Sequence, residues 1–496
     1  MGLGRGFFAL HSLSYARPTR RVANLSACRY DRGMRAITLL SLMWLCLTVA
    51  TAALSAAEAF TAETLPPELG TRSEGIDWPD FLGPGRASKS PETGLNGDWS
   101  TPPRIVWQCP LGTSYGAPAI TRGRLLHYDR FGDRARLTCR ESETGRELWR
   151  YEHDTQYTDM LGYNTGPRCS PVVDGNRVFL LSAEGELHSV RLDDGSRLWQ
   201  IDTSKQFGVV KNFFGVGSTP IVFEDLLIAN IGGSPPAGPQ DVYAAQGQVE
   251  GNGTGIVAFD KFTGKLRWQA TDELASYSSP ITANIDGRPW AFVFARGGLV
   301  GLEPRTGQVN FQFPWRAKML ESVNASGPVI VENRVFISET YEIGSALVEV
   351  EPGGYQVVWQ DKPRSRGKSL ELHWNTAIHH HGYLYGSSGR HSGPAELRCV
   401  AMETGDVKWS EPGFSRSSLL YVDDHLVCLG EDGTLRLLRA TPARCEVVGE
   451  LKLRDQRGTA LLKYPAWAAP VLSHGLLYVR GKDRLVCLEL ILERGK

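Results

Sequence analysis

One phrase recurs along this chain: a short apolar strand, a tight turn, a second strand, then Thr-Gly or Asp-Gly followed closely by Trp. The clearest copies are ETGRELW ending at Trp149, DDGSRLW at Trp199, FTGKLRW at Trp268 and ETGDVKW at Trp409. Weaker copies are RTGQVNF, where Phe311 replaces the Trp, and GGYQVVW, ending at Trp359. A strand that opens on a small residue, often with Pro, precedes each copy, as at Pro118, Pro171, Pro220, Pro280, Pro328 and Pro470. The anchors are spaced by about 40 to 60 residues, the length of one four-stranded propeller blade. Such a unit cannot bury its own apolar faces, so neighbouring copies must stack.

Residues 171–201 show the logic of one copy. Pro171, Val172 and Val173 begin an inner strand, and Asp174-Gly175-Asn176 reads as a hairpin turn. A second strand covers 177–182, a third 187–192, and an outer strand 197–201 carries Trp199. The Trp is expected to act as a wedge, fully buried against the neighbouring sheet. Inner strands counted this way begin near Pro118, Pro171, Pro220, Pro280, Pro328, Ala377, Ser418 and Pro470, which gives eight. The last copy has only three strands, whereas residues 104–109 (RIVWQC) form an orphan outer strand with Trp107 at the repeat position. Placing that strand in the last blade closes the ring and removes the exposed edges. The expected fold is all-β: an eight-bladed β-propeller of four-stranded antiparallel blades over residues 101–490, closed by an N-terminal strand in the last blade.

Length alone would suggest about three domains for 496 residues, but the repeat runs on without a linker. Its 54 basic and 54 acidic residues balance, so no global field draws the chain to nucleic acid or an anionic membrane. Residues 34–59, with Arg35, an apolar run over 36–49 and an Ala-rich end, read as a secretory signal peptide. The run is shorter than the ~20 residues a membrane span needs, so the mature chain is expected to lack one. Residues 1–33 read as an overcalled or disordered leader, and 60–100 as a linker and leader segment. The expected location is the periplasm or cell envelope. Cys139, Cys399 and Cys487 share one repeat position with Ala258 and Gly301, a small buried slot that needs no disulfide.

The Thr-Gly-x-x-x-Trp repeat in eight copies resembles the β-propeller family with pyrrolo-quinoline quinone (PQQ)-like repeats. Further matching phrases are DWPDFLGPGR at 77–86, KNFFGVGS at 211–218, SVNAS at 322–326 and YLYGSSGRH at 383–391. The family includes quinoprotein alcohol dehydrogenases and a non-enzymatic outer-membrane assembly factor, so the resemblance implies a fold rather than an activity. A dehydrogenase would need PQQ stacked on an aromatic ring, Ca²⁺ held by Glu and Asn oxygens, and a catalytic Asp. Glu321 and Asn324 lie close in sequence, but no accompanying Asp motif is found and no adjacent Cys-Cys pair is present.

Loops of about 20 residues before Pro171, Pro220 and Pro470, and the long 232–255 connection, all open on one propeller face. Residues just before the inner strands would ring its channel: Asn164, Arg168, Asn212, Tyr277, Asn324, Trp374, Asn375 and Trp467. They either form a ligand or partner mouth, with an indole as platform, or satisfy loop backbone and plug the channel. His379, His380 and His381 enter a hairpin on the opposite face and cannot share a site with His373, ~20 Å away along extended chain. The reading is an exported, non-enzymatic binding or assembly scaffold for an envelope protein or extracellular ligand, with no cofactor and no metal. The alternative is a divergent alcohol dehydrogenase using PQQ and Ca²⁺.

Overall fold

A computed structural model describes residues 64–236, 241–242, 249–322, 324–362 and 365–493. The proposed signal peptide and the leader before it lie outside the described residues. Eight sheets of four antiparallel strands follow one another along the chain. Seven are built from consecutive strands, and the eighth pairs Val471–Ser473, Leu476–Arg480 and Arg484–Glu489 with the early strand Arg104–Pro110. Trp107 there lies opposite Cys487, in the register expected for a closing strand.

Every blade carries the same irregularity. The register between third and outer strand shifts beside the repeat position, as at Cys139/Arg140, Ser189/Val190 and Ala258/Phe259. The bulge turns the ring toward the next blade. The indole N–H of Trp107 donates to the Ser142 carbonyl, Trp149 to Leu192, Trp199 to Lys261, Trp268 to Pro304, Trp359 to Met402 and Trp409 to Thr441. Each acceptor lies at or beside the turn before the next blade's outer strand. In five of these six turns a glycine of positive φ follows, 74° at Gly195 and 72° at Gly264, and the turn at Thr441 has none. A Cβ there would meet the preceding blade's ring: 2.5 Å from Trp149 at Gly195 and 3.0 Å from Trp199 at Gly264. Thr-Gly and Trp thus recur together because they are the two halves of one inter-blade contact.

The rings are less enclosed than the sequence suggests. Trp107 and Phe311 are buried, whereas Trp149, Trp199, Trp268, Trp359 and Trp409 keep one edge in solvent. They lie at the propeller's rim, where no further layer covers the outer strand. Cys139, Cys399 and Cys487 sit opposite Trp149, Trp409 and Trp107, as thiols in the expected small slot. In the seventh blade Gly449 stands at the Trp position, and a Cβ there would lie 2.6 Å from Trp99. An indole from the N-terminal segment therefore fills the slot that this blade leaves open.

Residues 64–100 pack along the propeller. Trp78 exchanges two backbone hydrogen bonds with Ile120, Pro79 accepts from Val173, and Ser88 bonds both Leu419 and Tyr421. Arg86 donates to the carbonyls of Thr219, Pro220 and Pro280, and its guanidinium pairs with Asp80 at 2.6 Å. These contacts reach the first, second, third, fourth and seventh blades, so residues 78–88 cross and plug the central channel. The turn Gly83-Pro84-Gly85 permits the crossing: Gly83 has φ 72°, and a Cβ would come within 2.5 Å of Trp78. A short helix not expected from the sequence, Thr203–Phe207, follows the second blade. Asp202 caps its N-terminus and Gly208, at φ 68°, ends it.

His474, in the eighth blade's first hairpin, bonds Asp77 of the plug at 3.3 Å and the Glu74 carbonyl at 3.1 Å. The Asp77 bond, opposed by burial, raises His474 above its ordinary 6.5. Burial works against Asp77, but bonds from His474, the Arg122 amide and Thr121 hold it below 3.8. The raised His contributes fully below about pH 6.5 and is lost as pH climbs through its folded pKa. The lowered Asp contributes above about pH 3.8 and is lost in stronger acid. Plug docking should therefore be firmest between these values. Limited proteolysis should cut residues 64–100 faster at about pH 9 than at about pH 6, and His474→Gln should flatten that dependence.

Trp199→Ala should lower stability by about 3 kcal/mol, the lower end for a large aromatic because one ring edge is solvated. Denaturant unfolding measures this, and a change under about 0.5 kcal/mol would contradict the wedge. Deleting residues 104–110 should abolish cooperative unfolding by opening a sheet edge.

Candidate functional site

The loops entering the inner strands of the second, third and eighth blades meet over the plugged channel. There they enclose a cavity of about 510 Å³ whose floor is Phe81 and Leu82 of the plug. The channel thus becomes a blind cup. One wall is a chain of rings: Tyr115 and Trp467 (centroids 4.8 Å apart), Trp467 and Trp374 (4.8 Å), Trp374 and His373 (5.1 Å), His373 and Tyr341 (5.9 Å). The facing wall is Phe213, Phe214 and Tyr277. The rim is apolar and exposed, with Tyr163 63%, Tyr464 54% and Leu161 46% accessible.

Arg416 and Glu431 order the aromatic wall. They flank the first hairpin of the seventh blade, Ser417–Val422 and His425–Gly430, which brings their side chains together. The guanidinium forks onto the carboxylate at 3.0 and 2.6 Å, and the Trp467 indole donates to the same carboxylate at 2.8 Å. Burial opposes its charge, but the bonds from Arg416 and Trp467 hold Glu431 below its ordinary value. Arg416 lies 4.4 Å from the Trp374 ring centre and 5.3 Å from that of Trp467, so one ion pair positions both indoles. Burial first, then Arg416 and Arg390, push His373 down to about 3, and its ring is neutral.

Two further arginines reach the cup. Arg168 bonds the buried Asp159 at 2.8 Å and lies over Tyr115 and Tyr157. Arg390 lies 4.5 Å over Tyr341, and among the described residues its guanidinium has no carboxylate partner.

Of the residues singled out from sequence, Arg168, Tyr277, Trp374, Asn375 and Trp467 line this cup. Asn375 spends its amide on the Ser387 carbonyl, and the Tyr277 hydroxyl accepts from the Phe214 amide at 2.6 Å. Asn164, Asn212 and Asn324 do not line it. Asn164 closes its own loop onto Gly166. Asn212 donates to the Ala275 carbonyl and accepts from Arg296, beside a neighbouring cavity of about 520 Å³. Asn324 is fully buried and donates to the Ala295 carbonyl at 2.6 Å. Short polar side chains before an inner strand satisfy loop carbonyls, which favours the structural reading for these three. Arg390, Arg416, Glu431 and Tyr115 were missed. Arg390 lies in the phrase at 383–391 that was noted only as a family match, and the partners of the other three lie in other loops, with no local motif to mark them.

The described parts of the 232–255 connection lie on the same face. Pro235, Pro236 and Asp241 line the cavity beside Asn212, and Val242 is buried against Val210 and Phe213. His380 stacks on Tyr421, and the His379 ring accepts from the Gly382 amide. The His triplet thus serves its hairpin, whereas His373 lies in the cup.

The indoles and arginines of the cup suit a planar anion, but a calcium–quinone pair finds no ligand set. Glu321 is the one carboxylate on the described lining, and Asn324, fully buried, is not part of that lining. Calcium takes six to eight oxygen ligands, and this lining offers one carboxylate toward that number.

The family model for PQQ repeats described as outer membrane protein assembly factor BamB matches residues 101–234 and 234–411, more than half of the chain. Comparison with curated proteins finds no match. Among solved structures, BamB from Moraxella catarrhalis superposes with a TM-score of 0.52 at 12% identity, covering 79% of this chain and 98% of that one. Quinohemoprotein alcohol dehydrogenase from Comamonas testosteroni gives 0.47 at 13% identity, covering 84% and 80%. The repeat that places Trp on Gly around the ring is that family's repeat, and the chain belongs to the PQQ-repeat propellers described as outer membrane protein assembly factor BamB.

Proposed function

We propose that this chain is an exported binding scaffold of the cell envelope, and that the cup receives an extended segment of a partner protein. The observation that carries this reading is the exposed apolar rim over a blind aromatic cup. Leu161, Tyr163 and Tyr464 on the cup, and Met160 and Met319 on the cavities beside it, are all more than a third accessible and lie in loops that enter inner strands. Clustered apolar exposure of this kind marks a contact surface on a soluble chain. Tyr and Trp give large, stiff contact area at little entropic cost. Arg390, without an internal acid, favours a carboxylate in the bound segment. The family's description as an assembly factor agrees with a partner that is itself a protein. Export rests on the apolar run at 36–49.

The dehydrogenase alternative would use the same cup for PQQ. The paired indoles favour it, and the lack of a calcium ligand set on the lining weighs against it.

Photo-crosslinking in intact cells tests the proposal. A crosslinking side chain at Tyr163 or Tyr464 should capture a discrete envelope protein, and one at Val357, exposed at the rim of the fifth blade, should not. Arg390→Glu should cut the adduct about tenfold while thermal unfolding stays unchanged. Equal labelling at Val357, or alcohol-dependent dye reduction on adding PQQ and Ca²⁺, would overturn it.

A further inference from the structure

Between the first and second blades, far from the repeat's own logic, His153, Glu186 and His188 converge. His153 ends the outer strand Glu147–Asp154 of the first blade. Glu186 and His188 lie two apart on the strand Glu186–Arg191 of the second, and so on one face. The His153 Nδ1 lies 3.6 Å and the His188 Nε2 3.5 Å from one Glu186 carboxylate oxygen, and all three ligand atoms fall within 4.8 Å of one another. Tetrahedral zinc bonds of 2.0–2.1 Å place ligand atoms about 3.3 Å apart. Two edges of the triangle are close to that, and the third lies within 4.8 Å.

We propose that these residues bind a divalent transition-metal ion of the Zn²⁺ class, joining the first blade to the second. A second observation points the same way. His188 is fully buried, and its Nε2 meets nothing nearer than the Glu186 carboxylate at 3.5 Å, too long for a well-formed hydrogen bond. A buried imidazole nitrogen so weakly met is costly, and an ion between the two groups would satisfy both. The opposite nitrogen of each ring is held by a tyrosine: Tyr151 hydroxyl to His188 Nδ1 at 3.1 Å, and Tyr128 hydroxyl to His153 Nε2 at 2.6 Å. This is the outer-shell arrangement that fixes a ligand imidazole's tautomer and aims its lone pair. His153 Nδ1 also lies 3.0 Å from the Asp154 carbonyl; the ion displaces that bond, and the ring proton moves to Nε2, which then donates to the Tyr128 oxygen. Two imidazoles and one carboxylate with a further position open form a donor set suited to zinc. The Glu186 side chain is 28% exposed and supplies the route in.

The test uses the full chain, stripped with chelator and titrated with Zn²⁺ and with Co²⁺ as spectroscopic probe. One Co²⁺ per chain is expected, with the visible absorption of a tetrahedral nitrogen–oxygen site, and Zn²⁺ should raise the unfolding temperature. Glu186→Gln and His188→Gln should each abolish stoichiometric uptake. Tyr128→Phe should weaken it about 10- to 100-fold without touching a ligand. Glu186 is partly exposed, so its variant decides the matter if His188→Gln fails to fold, with circular dichroism of the metal-free chain as the check. No stoichiometric uptake, or a folded Glu186→Gln chain that takes up metal as the parent does, would overturn the proposal.

Discussion

A tryptophan laid on a glycine turn is the contact on which the ring depends. A sheet twists, and eight twisted sheets close into a ring only if each meets the next at a fixed angle. The bulge beside the repeat position throws the indole outward from its own sheet, and the next blade's Thr-Gly turn receives it. Glycine is required there twice: for the left-handed φ, and because the ring occupies the space of a Cβ. The indole N–H takes a carbonyl from the same turn, so the contact has a direction as well as an area. Where the pair is absent the chain substitutes. Phe311 packs on Tyr355 at 5.2 Å, and Trp99 fills the slot beside Gly449.

That closure creates a channel, and the N-terminal segment then decides what the channel is. Arg86 would be an unpaired charge in a protein interior without Asp80 and the three carbonyls at the mouths of the third and fourth blades. With them it pins the plug, and Phe81 and Leu82 turn the open bore into a floor. The aromatic wall above that floor owes its order to the Arg416–Glu431 pair, since both indoles lean on it. The cup is closed at its base, and Tyr163 and Tyr464 leave their rings exposed at its mouth.

The ring was almost wholly legible in the sequence, because it is periodic. Expected strand starts at Pro118, Pro171, Pro280 and Pro470 fall one residue from the observed Ala119, Val172, Ile281 and Val471. The shared slot of Cys139, Cys399 and Cys487 was legible too, since a repeat shows which positions must stay small. The site was less so. Trp374, Trp467 and Arg168 could be placed because they come just before inner strands, but loop geometry sets whether a polar side chain faces ligand or backbone. Asn212 and Asn324 turned to carbonyls for that reason. The Arg416–Glu431–Trp467 cluster, the plug's path, and the His153–Glu186–His188 triad join residues from separate loops or blades, with nothing local to announce them.

A double-mutant cycle on Trp149 and Gly195 tests the central contact most directly. A Cβ at Gly195 would lie 2.5 Å from the Trp149 ring, so Gly195→Ala carries both a backbone and a steric cost. Trp149→Ala removes the ring and with it the steric part. Equilibrium unfolding of the parent, the two single variants and the double variant should give a coupling of about 1–2 kcal/mol, the pair costing less than the sum. Additivity to within about 0.5 kcal/mol would mean that the glycine serves its turn alone and that the indole does not set the angle between blades.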